Sequence, residues 1–297
     1  IKNSDKVYIA GDDDQAIFRY AGADVQHFLN LQGEIILLDK SYRIPAKHHE
    51  LSNQVIKKLV SRHEKPFAPK EEQGTIMWHS HSEKVDLSQG DWLLLSRTTR
   101  GALQIEEEVR RRGHLYIYNG SKSLDSKVIE AVKLWEHLRE GGKITADQVR
   151  NIYKFMLLNA EVAYGQKTMP DGKEGVFYSM EELRQQHGLL HSLSWDEGLG
   201  KISKTDKAYL KACLRKGESL TREPRIRIST IHSAKGAEAT NVLMLTDTMR
   251  RPYSMWRKIN TFEEDEVRVF YVGLTRAQQN LHLVHPMFSQ GFNLSGR

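Results

Sequence analysis

The chain has 297 residues, 39% hydrophobic and 28% charged, which is enough apolar material for a core and excludes a disordered or fibrous protein. No apolar run reaches bilayer length and no signal-peptide pattern opens the sequence, and the one cysteine, Cys213, excludes an internal disulfide, so a cytoplasmic protein with a buried, inert thiol is expected. Lysine and arginine exceed aspartate and glutamate by 44 to 38, a net +6 that suits a polyanion such as nucleic acid but is equally an ordinary solvated surface.

In chain order, KVYIAG (6–11) predicts a short buried strand that runs into three aspartates and a glutamine, GDDDQ. GEIILLD (33–39) predicts a second strand, and after SYRIP a helix follows over AKHHELSNQVIKKLV with Pro45 near its start. QGTIMWHS and DWLLLSR are strand-like, and GALQIEEEVRRRG is a helix stopped by Gly113. HLYIYNG is a strand, and DSKVIEAVKLWEHLREGG a helix ended by two glycines. Residues 143–222 differ, with a polar, Gly-rich YGQKTMPDGKEG and short helical stretches (ITADQVRNIYKFML, SMEELRQQHG, KTDKAYLKACLRKG) that predict an inserted helical subdomain. The tail returns to alternation: RIRISTIHSAKG, NVLMLTDT, the helix EDEVRVFYVGLTRAQQ, then NLHLVHP. Strands alternating with helices predict an α/β fold on a mostly parallel sheet.

Ligands bind beyond the carboxyl ends of strands in such sheets. A carboxylate of GDDDQ could there hold Mg2+ or its waters, and the glutamine could orient a water or meet a terminal phosphate; an acidic turn capping a helix is the plainer alternative. In LLDKSYRIP, Arg43 offers a guanidinium for phosphate and Tyr42 a ring for a base. In RISTIHSAKGAE, Ser229, Thr230, His232 and Ser233 supply donors suited to a nucleic-acid backbone. In the same stretch Lys235 and Gly236 let an anion approach closely, and Glu238 could accept from a ribose hydroxyl. VFYVGLTRA presents Arg276, either a surface helix arginine or a finger for developing phosphoryl charge. No GxxxxGK[ST] phosphate loop occurs, since the GK pairs at 142, 172 and 200 are followed by Ile, Glu and Ile. His48, His49 and the HSH at 79–81 lack metal-ligand spacing and are expected on the surface, with no metal site.

Taken in order, GDDDQAIFRYAGAD, LDKSYR, DWLLLSRT, STIHSAKGAE and VFYVGLTRA resemble motifs III, IV, IVa, V and VI of the superfamily 1A helicases, the UvrD/Rep/PcrA group. The resemblance implies a RecA-like, P-loop NTPase-type parallel-sheet domain with a mainly helical insertion. Residues 1–40 would close the first RecA-like domain, 41–142 and 223–297 would form the second, and 143–222 would be a 2B-like insertion. It implies that Gln15 senses the γ-phosphate, Tyr42 stacks on adenine and Arg43 meets the γ-phosphate. Arg97 would organise the cleft, Gly236 and Glu238 would lie at the nucleotide, and Arg276 would be the finger. Tyr20, standing where the family has tryptophan, would stack on a DNA base, and Thr230 and His232 would touch single-stranded DNA. Ala21 departs from the family's arginine, which removes one expected contact.

The same resemblance implies ATP with Mg2+ as cofactors, the Mg2+ ligands lying mainly in an N-terminal RecA-like domain that this chain lacks. The triple aspartate is then expected to make sense only opposite that domain's phosphate loop. The function implied is the C-terminal part of an ATP-dependent, 3′-to-5′ translocase and helicase acting on single-stranded and duplex DNA, inactive as an isolated piece. A non-enzymatic nucleic-acid-binding or partner-docking relative, and a helicase–nuclease subunit, are the alternatives.

Overall fold

The computed structural model describes residues 6–167, 175–249, 259–286 and 291–294, the side chains of 259–262 excepted. Most of the Gly-rich stretch YGQKTMPDGKEG lies outside the described residues. The chain divides into two compact units, residues 1–108 with 225–297, and residues 109–224.

The first unit begins with 3-10 turns at Asp13–Gln15 and Arg19–Ala21, then α1 (Val25–Leu29), α2 (Ala46–Ile56), β1 (Thr75–His79), β2 (Trp92–Ser96) and α3 (Thr99–Arg111), whose end enters the second unit. Within the second unit are β3 (Tyr116–Tyr118), β4 (Ser121–Lys122), α4 (Ser126–Arg139), β5 (Lys143–Thr145), α5 (Ala146–Tyr153), β6 (Phe177–Ser179), α6 (Met180–Gln186), α7 (Trp195–Gly198) and α8 (Lys204–Arg215). The chain returns to the first unit with β7 (Ile226–Thr230), β8 (Ala239–Leu245), α9 (Ile259–Leu274) and β9 (Ala277–Val284).

Five strands of the first unit lie in the order β1-β9-β8-β2-β7, every neighbouring pair parallel. A parallel sheet is covered on both faces, so its central strands are apolar at successive positions, and all five residues of β2 (WLLLS) are buried. Alternate residues share a face: Leu93 and Leu95, Val242 and Met244, Leu281 and Leu283 form one cluster with Val55 and Ile56 of α2 and Val267, Phe270 and Leu274 of α9. The spacing 267, 270, 274 is the helical stripe that turns α9 onto the sheet. Gly273 permits the close approach, since a Cβ there would stand 2.5 Å from Met244 Sδ.

In the second unit, Asn119 and Gly120, with φ of 47° and 80°, make the two-residue turn of the β3–β4 hairpin. β5 and β6 pair antiparallel, and each runs into a helix through a capping box, Thr145 with Gln148 on α5 and Ser179 with Glu182 on α6. Trp135 on α4 is fully buried, its Nε1 donating to Leu193 O at 3.0 Å. Cys213 on α8 is buried and its thiol pKa is pushed up to about 12 by desolvation, the inert state expected of it.

Three expectations are corrected. Residues 6–11 and 33–39 form no strand: Tyr8 is 87% exposed and Leu38 86%, and the pairing nearby is a single bridge, Lys40 to Ala68. Both segments have strand composition, but a strand without a neighbour leaves its backbone groups unpaired, so composition alone does not form one. The last helix stops at Leu274, which places Arg276 in the short turn before β9 instead of on the helix. His48 is buried, not on the surface, its ring nitrogens 2.9 Å from Thr75 O and 3.3 Å from Ala277 O; His79 packs on His282 with a 3.0 Å nitrogen–nitrogen contact.

Candidate functional site

The acidic turn is neutralised from within the first unit. Asp12 caps it, accepting from Asp14 N at 3.1 Å. Lys65 Nζ lies 3.5, 2.5 and 3.1 Å from carboxylate oxygens of Asp12, Asp13 and Asp14. Arg62 holds Asp14 through two bonds of 2.9 and 2.8 Å, His63 N donates to Asp13 Oδ2 at 2.9 Å, and Arg268 Nε donates to Asp13 O at 3.1 Å. Burial pushes the Asp13 carboxyl up, but the bonds from Lys65 and His63 outweigh it and hold the pKa below the ordinary carboxylate value. The expectation that these aspartates make sense only opposite a phosphate loop is therefore corrected: their counter-ions are Lys65 and Arg62. Among the described residues no group of three His, Cys, Asp or Glu could hold a metal ion.

Gln15, at the end of the turn, meets residues from two later segments. Arg276 Nη2 donates to Gln15 Oε1 at 3.3 Å, and Lys235 Nζ donates to Gln15 O at 2.8 Å. Arg276 is 1% exposed, yet its other donors go to neutral acceptors: Nε to Val272 O at 2.8 Å, Nη1 to Ala237 O at 3.4 Å and Nη2 to Thr275 Oγ1 at 3.1 Å. Burial, and then repulsion from Arg43, push its pKa down to about 10, so it stays charged at neutral pH. Arg43 lies 3.7 Å from Glu238 Oε2, and its buried Nε has no hydrogen-bond partner among the described residues. Glu238 also accepts from Gln278 Nε2 at 2.8 Å. Glu238 and Arg276 stand together because Ala239 and Ala277, which follow them, are paired as β8 and β9 begin. Gly236, with φ of +90°, has open space where a Cβ would point, so its backbone conformation, not crowding, favours glycine there. Tyr42 stands apart, 85% exposed, with Lys40 Nζ 5.6 Å from its ring centre and Lys70, Glu71 and Glu72 around it.

A second group forms where β2 and β7 end. Ile231 N donates to Ser96 O at 2.9 Å, joining the loop after Thr230 to the end of β2. His232 meets Tyr20 edge-on at 5.6 Å and Phe18 at 6.2 Å, while Lys235 Nζ sits 5.3 Å from the Phe18 ring centre. Tyr20 is 76% exposed, leaving most of its ring free to stack. Thr230 Oγ1 donates to Ser233 Oγ at 3.1 Å. Arg97 is paired with buried Glu266 at 2.6 Å. The sequence reading missed Lys65, Arg62, Arg268, Phe18 and Glu266; the basic SRHEK stretch, matching the acidic GDDDQ in charge, was the one available signal for the first two.

Burial, with Arg97 adding repulsion, pushes the His232 pKa down to about 4, and burial, with His79 adding repulsion, does the same to His282. Both are neutral in the fold and near 6.5 when unfolded. Between these values the unfolded chain binds more protons, so their contribution to stability is full above pH 6.5 and falls as pH drops toward 4. A His282→Gln chain is expected to lose less stability than wild type over that interval; equal losses in pH-dependent thermal unfolding would refute the assignment.

Residues 206–285 match the UvrD-like helicase C-terminal domain family. Over 148 residues the chain is 26% identical to the ATP-dependent DNA helicase PcrA of Bacillus subtilis (strain 168), covering 42% of this chain and 20% of that protein. The match thus spans a fifth of the relative's length. The matched stretch carries β7 to β9 and, among the residues described above, Thr230, His232, Glu238 and Arg276, so that residues 206–285 of this α/β chain are similar to a UvrD-like helicase C-terminal domain.

Proposed function

We propose that the chain is the C-terminal portion of an ATP-dependent DNA translocase and helicase moving 3′ to 5′. The observation that carries this reading is the convergence of two guanidiniums on one face. Arg276 and Arg43 repel each other, Arg43 Nε lacks a partner among the described residues, and the nearest ion pair is a 3.7 Å contact to Glu238. Such a pair suits a group whose negative charge spreads over several oxygens, as a transferring γ-phosphoryl group does. ATP bound there would supply that charge, with Arg43 and Arg276 binding it and Gln15 orienting beside them.

Tyr20, His232 and Thr230 form the strand-contacting side, an exposed ring beside backbone-binding donors. Lys235 bridges the two sides, touching Gln15 and Phe18 at once. The exposed apolar runs at 7–9 and 35–38 fit docking against a partner sheet, which this reading assigns to an N-terminal RecA-like domain. That domain would hold Mg2+, because the aspartates here are committed to Lys65 and Arg62.

The test is ATP hydrolysis by the native polypeptide that contains this chain. Turnover stimulated by single-stranded DNA, with none from residues 1–297 alone, is the expected result. A native polypeptide that binds DNA without hydrolysing ATP would establish the non-enzymatic alternative instead.

A further inference from the structure

The turn that aims Gln15 is held by Lys65, Arg62 and Arg268, which lie outside the motif stretches. Gln15 Nε2 donates to Asp12 Oδ2 at 2.6 Å, which leaves Oε1 turned to Arg276 Nη2 at 3.3 Å. Asp12 is in turn 3.5 Å from Lys65 Nζ, the ammonium that also meets Asp13 and Asp14. The two-pronged Arg62–Asp14 pair fixes the far side of the turn. Arg268, wholly buried on α9, donates from Nε to Asp13 O and from Nη2 to Ser61 O at 3.2 Å, so one side chain ties both the turn and the chain leading to Arg62 onto the helix that precedes Arg276.

We propose that Lys65, Arg62 and Arg268 are positioning residues: they clamp the acidic turn so that Asp12 presents Gln15 Oε1 to Arg276. This rests on the reading that Gln15 and Arg276 face a nucleoside triphosphate. The physical case is charge balance. Three adjacent carboxylates, two of them buried, repel one another unless matched by cations at contact distance, and the loss of one partner leaves a buried charge uncompensated. With Lys65 removed, Asp12 loses its counter-ion and the turn opens, so the Gln15 amide loses the anchor that orients it. Arg62 supplies the planar fork that a lysine cannot reproduce. None of the three needs to touch nucleotide for this role.

Two readouts on Lys65→Met test it. In this chain, amide hydrogen exchange follows the bonds that close the turn, Gln15 N to Asp12 O at 3.1 Å and Ala16 N to Asp13 O at 3.3 Å, with β8 amides reporting the core. Exchange at Gln15 and Ala16 is expected to quicken about tenfold or more while β8 is unchanged, and Lys65→Arg to restore slow exchange. In the native polypeptide, DNA-stimulated kcat for ATP is expected to fall about tenfold or more with KM within about twofold, again recovered by Lys65→Arg. Arg62→Lys, which keeps the charge and loses the fork, should fall between. Unchanged exchange at the turn overturns the clamp, and fast exchange with unchanged kcat overturns its positioning role. A wild-type polypeptide without ATP turnover overturns the nucleotide reading and with it the role of the clamp; the exchange result in this chain then shows whether the clamp itself exists.

Discussion

Replacing Arg276 by alanine in the native polypeptide is expected to lower DNA-stimulated ATP turnover about a thousandfold or more, while single-stranded DNA binding stays within about threefold. The magnitude follows from what the guanidinium would do at a phosphoryl group. It holds a full charge at neutral pH, its pKa pushed down only to about 10, and it is fixed in place by bonds to Val272 O, Ala237 O, Thr275 Oγ1 and Gln15 Oε1. A charge already in position costs no reorganisation when negative charge develops nearby, and burial strengthens it. The same bonds mean that alanine leaves carbonyls in the first unit unsatisfied, at a cost of about 1–3 kcal/mol, so thermal unfolding must accompany the kinetics. Arg276→Lys separates the two effects. It retains a charge but cannot reproduce the fork, and turnover is expected to stay low even where stability recovers. Near-normal turnover in a folded Arg276→Ala polypeptide would sink the finger assignment and leave the residue as a structural tie between α9, the 230–238 loop and the acidic turn.

Single-stranded DNA binding by residues 1–297 is expected to weaken about tenfold when Tyr20 becomes alanine and to survive Tyr20→Trp. A base stacked on an aromatic ring is worth about 1–3 kcal/mol, and every base has a face to offer, so the loss should be similar for different sequences. Tyr20 is the exposed member of the cluster with His232 and Phe18. Salt dependence supplies an internal control. Stacking releases no counterions, so the slope of log K against log salt should be the same for Tyr20→Ala and wild type, whereas Lys235→Ala should flatten it by roughly one unit. Anisotropy of a labelled oligonucleotide reads both. Equal affinity for wild type and Tyr20→Ala would move the strand contact elsewhere and leave Tyr20 an incidental exposed ring.

Much of the fold was legible because its elements carry their own signals. DWLLLSR and NVLMLTDT are too apolar to lie anywhere but in a covered sheet, and both do, as β2 and β8. DSKVIEAVKLWEHLREGG carries an aspartate cap, four buried positions and a glycine stop, and it forms α4. The 3.6 and 2.0 periods are local properties, readable without knowing a partner. KVYIAG and GEIILLD carry the same apolar signal and form no strand, because a strand is completed by a neighbour and composition does not supply one.

The site divides along the same line. Spacing brought out the motif stretches, and the chemistry of Arg43, Arg276, Gln15 and His232 could be named from residue type. What the sequence by itself determined was therefore which segments are helix or strand and which side chains can carry charge or stack. Tertiary structure alone decided that Lys65 and Arg62, some fifty residues from the aspartates, are their counter-ions, that Arg276 is buried in a turn beside Gln15, and that Arg97 turns to Glu266. The reason is physical: a charge is satisfied by whatever lies within a few ångströms, and only the folded packing of α2, α9 and the parallel sheet brings residues so far apart in the chain to that distance.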